Sequence, residues 1–305
     1  MVHQRLNALR IGLIAAGAFL AASTAWNALS AAPVKVLVTI TPQAYLAERI
    51  GGDRVEVTPI IPASQDPHTF MPTPRQMIEI TRGQVFFLIG EPIEDRLVGK
   101  LRGGSGGVKV VDTTEGIQRI HTCGAGCAHH HHGHAHAHGA ADPHVWLSPP
   151  LLKTQAKAMA DALAAIDPQG GEQYRENYVE LAEELDELHA RITEKLKPYR
   201  GRSFYIFHPA LGYFADTYGL KQKAVEVSGR TPTPGELRRL ITEAKRDRAD
   251  VLFVQPQFDQ RSANAMAKAI DAELVTFDPL KRDVVDNLRE LADELAKAFD
   301  NKSSE

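Results

Sequence analysis

Short runs of β-branched and aromatic residues alternate with longer amphipathic stretches along this chain. The runs lie at 34–40, 55–61, 85–89 and 108–111 in the first half, and at 204–207, 224–227, 251–254 and 273–277 in the second. Runs that are apolar throughout are typical of parallel strands that are buried on both faces. The alternation of such strands with helical patterns predicts an α/β fold with mostly parallel sheets.

The two halves of the chain follow the same plan. Thr73-Pro74 with Gln76, and Thr233-Pro234 with Glu236, both have the pattern of a capping box with proline in the first helical turn. A buried strand follows each predicted helix. We interpret this repetition as two similar α/β lobes, although a proline-capped helix before a strand is common in any α/β protein.

A long amphipathic helix is predicted between the halves. One apolar stripe recurs there at spacings of three and four residues, through Tyr174, Tyr178, Leu181, Leu185, Leu188, Ile192 and Leu196. A helix of this length spans roughly 40 Å, enough to bridge two lobes. We therefore expect an N-terminal lobe over 33–167, a linking helix over 168–199 and a C-terminal lobe over 200–305.

The N-terminus has the pattern of a secretory signal peptide. Arg5 and Arg10 precede an apolar run over 11–22, and small residues follow it. The run is short for a transmembrane helix. We expect residues 1–32 to contain the signal peptide and its cleavage region, and the mature protein to be exported. An uncleaved N-terminal anchor is the alternative.

Composition gives no sign of a nucleic-acid partner and leaves the state of the two cysteines open. The formal net charge is −3, so nothing indicates a nucleic-acid partner. Cys123 and Cys127 are the two cysteines of the chain. A disulfide fits an exported protein, and metal thiolates fit the spacing equally well, so both interpretations stay open.

A histidine-rich loop is predicted over 121–141. Its histidines include His129, His130, His131, His132, His134, His136 and His138. Imidazole is the commonest side-chain ligand of borderline metals, but a tract of this composition cannot bury a core. We interpret it as an accessory metal-binding loop. An expression tag is less consistent with its internal position and its interruptions by Gly and Ala.

Four metal-competent residues follow predicted strands or leave this loop. His68 and His144 each end an Asp-Pro-His triplet, His208 follows the run at 204–207, and Asp278 follows the run at 273–277. Ligands in parallel α/β folds lie beyond the carboxyl ends of strands, so we expect these four residues to share one site in the cleft between the lobes. Asp66 and Asp142 would either orient their histidine rings or cap the local turns.

The chain resembles the zinc/manganese ABC-transporter substrate-binding proteins. The matching segments are DPHTFMPTPRQ at 66–76, DPHVWLSP at 142–149, FHPALGYFADTYGL at 207–220, SGRTPTPGELRRLI at 228–241, VLFVQPQFD at 251–259 and FDPL at 277–280. The resemblance implies two α/β lobes joined by one long helix with a metal between them. By position it implies His68, His144, His208 and Asp278 as metal ligands.

The resemblance also implies a function. It predicts a monomeric periplasmic protein that captures Zn²⁺ and delivers it to a cognate ABC permease in the inner membrane with its ATPase. Manganese-selective members usually carry Glu at the position of His208, so Mn²⁺ is less expected as the cargo. Two departures matter: Gln255 stands where the family often has Glu, and the fourth ligand varies, so that water or another carboxylate can replace Asp278.

Two other functions are compatible with parts of this sequence. An exported metallohydrolase could use three histidines, but the sequence contains no HExxH helix, so we do not expect an enzyme. A periplasmic metal buffer or chaperone would bind several ions weakly through the histidine-rich loop itself.

Overall fold

The N-terminal half forms a parallel sheet covered by helices. The computed structural model describes residues 32–103, 107–121, 141–226, 232–247 and 249–301. Strands β1 (Val34–Val38), β2 (Val55–Pro59), β3 (Val85–Leu88) and β4 (Lys109–Asp112) pair in the order β2-β1-β3-β4. Helices α1 (Thr41–Gly51), α2 (Pro74–Ile80) and α3 (Pro92–Gly103) connect them. Because every pairing is parallel, the carboxyl ends of these strands share one edge of the sheet.

The C-terminal half repeats this topology. Strands β5 (Ser203–Ile206), β6 (Lys221–Ala224), β7 (Val251–Val254) and β8 (Glu273–Thr276) pair in parallel in the order β6-β5-β7-β8. Helices α6 (Gly212–Tyr218), α7 (Pro234–Arg246), α8 (Gln260–Ile270) and α9 (Val284–Asn301) accompany them. The predicted α/β fold with two similar lobes is confirmed.

Strand β6 is the predicted strand that lies furthest from its expected position. The apolar run predicted a strand at 224–227, whereas β6 begins three residues earlier with a polar Lys-Gln-Lys segment. As an edge strand, β6 is partly exposed and does not need an apolar run. The ladder still continues into Val225 and Glu226, whose amides donate to the carbonyls of Ile206 and Phe207.

Both predicted capping boxes form at the starts of their helices. Thr73 accepts a hydrogen bond from the amide of Gln76 at the start of α2, and Thr233 accepts one from Glu236 at the start of α7. In each case the side chain at the third helical position accepts a hydrogen bond from the backbone amide of the threonine. These contacts satisfy amide donors that the first helical turn cannot pair internally.

One long helix lies between the two halves in sequence and packs against both. Helix α5 (Gly171–Leu196) has 26 residues and follows α4 (Pro149–Ile166). Its predicted stripe is buried except for the half-buried Tyr178, and it packs against α1, α4 and α9. One continuous apolar core therefore joins residues of both lobes, while a second cluster lies around α7 and α8. Across the described ranges, every helix is too short or too polar to cross a bilayer.

Polar contacts near the strand ends also tie the lobes together. The buried Trp146 donates its indole Nε1–H to the carbonyl of Pro279 at 2.8 Å. The hydroxyl of Thr41, at the start of α1, donates to the carbonyl of Leu280. Gln257 donates from Nε2 to the carbonyl of Ala63 at 2.9 Å. The loops that extend from the two sheets are thereby fixed relative to each other.

The contact of Thr41 with Leu280 gives a test of the lobe interface. Thr41→Val keeps the side-chain shape but removes the donor to a carbonyl beside the buried threonine. We expect the free energy of unfolding to fall by about 1–3 kcal/mol, measured by urea denaturation with metal removed. Thr41→Ser, which keeps the hydroxyl, is the control and should lose less. Equal stability of Thr41→Val and wild type would mean that this bond does not hold the lobes.

Candidate metal centre

Three imidazoles from separate segments of the chain converge at the carboxyl ends of the strands. His68 lies on the loop between β2 and α2, His144 directly precedes a 3₁₀ turn at Val145–Leu147, and His208 follows β5. Each ring offers a nitrogen within 4.8 Å of the other two. The Nε2 atoms of His68 and His208 lie 3.1 Å apart, and the ring centroids of His144 and His208 lie 5.3 Å apart. This arrangement suits one small cation that accepts nitrogen lone pairs.

Two of the rings are held from behind by carboxylates. Nδ1 of His144 lies 2.7 Å from Oδ1 of Asp142, and Nδ1 of His208 lies 2.6 Å from Oε2 of Glu226. A hydrogen on each Nδ1 would be donated to the carboxylate, which leaves Nε2 with its lone pair free for a metal. The rings therefore combine a fixed orientation with a defined ligand atom.

The two Asp-Pro-His triplets serve different purposes. Oδ1 of Asp142 accepts both the backbone amide of His144, at 2.9 Å, and its ring Nδ1. Asp142 thus combines the two roles that the sequence left open. Oδ1 of Asp66 accepts the amide of His68 at 3.0 Å, and its carbonyl and Oδ2 contact Thr69, so Asp66 caps the turn.

The environment of His68 differs from that of the other two rings. It is the most exposed of the three histidines, and its Nδ1 lies 3.7 Å from Oε2 of Glu91. Glu91 is 2% exposed and directly follows the segment that extends β3. Burial, together with the neighbouring Glu94, raises the pKa of Glu91 to about 8.

Burial and repulsion between the rings lower the pKa of two of the imidazoles, those of His68 and His144. Partial burial, together with the nearby His144 and His208, lowers the pKa of His68 to about 4. Burial also lowers the pKa of His144, against the opposing effect of Asp142. Neutral imidazole is the form that binds metals, so these two rings need not lose a proton at neutral pH.

Apolar and amide side chains form the walls around the histidines. The side chain of Gln255 forms two hydrogen bonds with the backbone of His208. Its Oε1 accepts from the amide at 3.2 Å, and its Nε2 donates to the carbonyl at 2.7 Å. The ring of Phe258 stacks on that of His208, with an interplanar angle of 12°. Trp146 and Leu280 complete the pocket walls. The side-chain amide of Gln255 therefore fixes the backbone position of His208.

Asp278 lies at the end of β8, on the same edge of its sheet, but the structure does not bring it into the three-histidine group. Its Oδ1 accepts hydrogen bonds from Nε2 of Gln257, at 3.0 Å, and from the amide of Leu280, at 2.9 Å. These contacts show that Asp278 orders the loop after β8. Its role as a metal ligand stays a prediction.

Sequence reasoning missed the two carboxylates Glu91 and Glu226. Each lies just beyond the carboxyl end of a strand, β3 or β6, which was the signal that selected the histidines. The sequence feature that could have identified them is an acidic residue next to an apolar run. Acidic residues are common at such positions in any α/β protein, so this feature alone does not select them.

The histidines of the predicted accessory loop, at 129–138, and both cysteines lie outside the described residues. The signal-peptide prediction over 1–32 falls almost entirely outside them as well. The described residues on either side of the loop do meet: His121 and Ala141 form an antiparallel bridge. The chain thus enters and leaves the loop at neighbouring points, three residues before His144.

The chain matches the model of the family described as zinc-uptake complex component A, periplasmic, over residues 36–298. It is 30% identical over 254 residues to the high-affinity zinc uptake system protein ZnuA of Bacillus subtilis (strain 168), covering 81% of this chain and 78% of that protein. A crystal structure of ZnuA shares the fold with a TM-score of 0.79 and 35% identity, covering 87% of this chain and 98% of that one.

A second solved structure gives the same figures. It is described as a 138–173 deletion mutant of ZnuA with zinc bound, and it has a TM-score of 0.79 and 35% identity over 87% of this chain and 98% of that one. The family consists of uptake components and not of enzymes. With a match that extends over both lobes and includes all three converging histidines, the chain belongs to the periplasmic zinc-uptake component A family.

Proposed function

We propose that this protein captures Zn²⁺ between its lobes through Nε2 of His68, His144 and His208. The observation that carries the proposal is the convergence of three imidazoles, each with a nitrogen within 4.8 Å of the others. Two of them are oriented by carboxylates at Nδ1. Family membership supports the proposal independently of this geometry.

The chemistry of the donors favours zinc over manganese. Zn²⁺ is bound tetrahedrally by imidazole nitrogens at about 2.0–2.1 Å, whereas Mn²⁺ prefers carboxylate, carbonyl and water oxygens. Three imidazole nitrogen donors make the first kind of site. The relatives named for zinc uptake and the relative with bound zinc agree with this assignment.

Asp278 is proposed as the fourth ligand. It lies one residue from Pro279, which lines the pocket, and its Oδ1 is already shared by Gln257 and Leu280. Binding through Oδ1 would therefore compete with hydrogen bonds that order the loop. For this reason we expect Asp278 to contribute less to affinity than any of the three histidines.

We propose that the protein is exported by its N-terminal segment, acts as a monomer in the periplasm and delivers zinc to an ABC permease that is driven by an ATPase. The family description as a periplasmic component of an uptake complex supports this assignment. The division into a lobe at 33–167, a linking helix at 168–199 and a lobe at 200–305 belongs to the same proposal. Helix α5 and the two sheets support this division.

Zinc titration tests the ordered site separately from the histidine-rich loop. Residues 122–140 can be replaced by a short glycine-serine linker, because His121 and Ala141 already face each other across a bridge. The loop-replaced protein should keep one tight zinc site. In that background, His68→Ala and His208→Ala should each weaken binding by about 100-fold, or roughly 3 kcal/mol. Competition against a fluorescent zinc chelator measures these affinities.

A matched control for these variants is His189→Ala. His189 lies on α5 beside Tyr218 and outside the three-histidine group, so its removal should leave zinc affinity unchanged. If replacing the loop abolishes all tight binding, the metal buffer is the better function. If His68→Ala and His208→Ala bind as tightly as their parent, the ordered-site proposal is wrong.

The lowered pKa values predict how the metal-free protein responds to acid. Between about pH 6.5, the ordinary histidine pKa, and the pKa of about 4 at His68, the unfolded state binds a proton that the folded state excludes. The free energy of unfolding contributed by His68 is therefore present above pH 6.5 and is lost as the pH falls through this window. Urea denaturation of His68→Gln in the presence of chelator should show a shallower loss than wild type. Identical pH profiles would contradict the lowered pKa.

A further inference from the structure

We propose that Glu91 positions His68 for the metal: its carboxylate accepts the Nδ1–H of His68 and directs Nε2 of that ring toward the ion. Glu91 is not proposed as a metal ligand, because the atom of His68 that it faces is Nδ1 and not Nε2. This inference rests on the proposed function, since it assigns a role within the same site.

The first observation is an incomplete pattern among the three histidines. His144 and His208 each have a carboxylate oxygen within 2.7 Å of Nδ1. Nδ1 of His68 faces Oε2 of Glu91 at 3.7 Å, about 0.5 Å beyond the usual length of an N–H···O hydrogen bond. Glu91 thus occupies, for the third ring, the place that Asp142 and Glu226 occupy for the other two.

The second observation is that the side chain of Glu91 forms no hydrogen bond with the described residues. Both of its carboxylate oxygens are buried and have no hydrogen-bond partner among the described groups. Buried polar side-chain atoms without a hydrogen-bond partner are rare in folded proteins. Both oxygens are therefore available to accept the Nδ1–H of His68.

The neighbouring Glu94 shows what a structural carboxylate looks like in the same segment. It is buried too, but it accepts hydrogen bonds from the amides of Ile89 and Gly90, at 2.9 and 2.8 Å, and from the hydroxyl of Thr39. Glu94 therefore satisfies local backbone groups, and Glu91 does not. The difference makes the two residues a matched pair for mutagenesis.

The nearby cationic side chain of Arg119 forms its hydrogen bonds with groups other than the carboxylate of Glu91. Arg119 affects Glu91 electrostatically, but its guanidinium donates to the carbonyls of Ile89 and Asp142 and to the hydroxyl of Thr114. The ring of His68 is therefore the group on which Glu91 can act. A divalent ion on Nε2 makes the opposite Nδ1–H a stronger donor, and it also attracts the carboxylate behind the ring.

The inference is tested in the loop-replaced protein with Glu91→Gln, Glu91→Met and the control Glu94→Gln. Removing a carboxylate behind a metal-binding histidine typically costs 10–100-fold in affinity. We expect Glu91→Gln to lose about 10-fold in zinc affinity and Glu91→Met to lose more, because glutamine still offers a carbonyl acceptor. Their melting temperatures without metal should equal or exceed that of the parent. Glu94→Gln should show the opposite result, with a lower melting temperature and a zinc affinity close to that of the parent.

A spectroscopic measurement separates positioning from a general loss of structure. In protein labelled with ¹⁵N-histidine and loaded with zinc, the Nδ1–H of His68 should give a resolved, slowly exchanging proton resonance. His68→Ala assigns this resonance. Glu91→Met should broaden or remove it, while the corresponding resonances of His144 and His208 persist.

The outcomes distinguish this inference from the proposed function. If the parent protein binds no zinc tightly, the proposed function fails. If the parent binds tightly and both Glu91 variants bind equally well with the His68 resonance unchanged, only the role of Glu91 is wrong. A lower melting temperature of the metal-free Glu91 variants, with unchanged zinc affinity, would show a structural role and would also overturn the inference.

Discussion

The structure depends on holding three imidazoles against one another without a covalent link between them. Two of their ligand nitrogens lie 3.1 Å apart, a distance at which two protonated rings would repel strongly. Burial and this repulsion keep the pKa of His68 near 4. The carboxylates behind His144 and His208 then fix which nitrogen of each ring is available. Two of the three rings are thereby oriented before a metal arrives, so that less ordering is needed on binding.

The two-lobe topology accounts for how these rings meet. In each lobe the parallel sheet places all strand carboxyl ends at one edge, and the loops that follow β2 and β5 carry His68 and His208. His144 comes from the segment between β4 and α4, and Trp146, two residues later, bonds to the opposite lobe through Pro279. The continuous core and the long helix α5 hold both lobes together. Because a packed helix resists bending more than a loop does, we expect metal binding to act mainly on loops near the cleft.

Much of this arrangement could be predicted from the sequence, because its signals are local. Apolar runs located most strands, the threonine-proline pairs located the starts of α2 and α7, and the position of His68 and His208 after strands selected them as metal-competent residues. The polar edge strand β6 was misplaced because an exposed edge does not require an apolar run. Glu91 and Glu226 were missed because their function depends on which loops meet in space. The bonds of Asp278 with Gln257 and Leu280 were not predictable for the same reason.

The most direct test of this account is the position of the metal in crystals of the loop-replaced protein grown with one equivalent of zinc. An anomalous difference map at the zinc edge should show its highest peak about 2.0–2.1 Å from Nε2 of His68, His144 and His208. The Nδ1 atoms of His144 and His208 should remain on Asp142 and Glu226. A highest peak elsewhere in the molecule, or a peak bound by fewer than two of these histidines, would contradict the account.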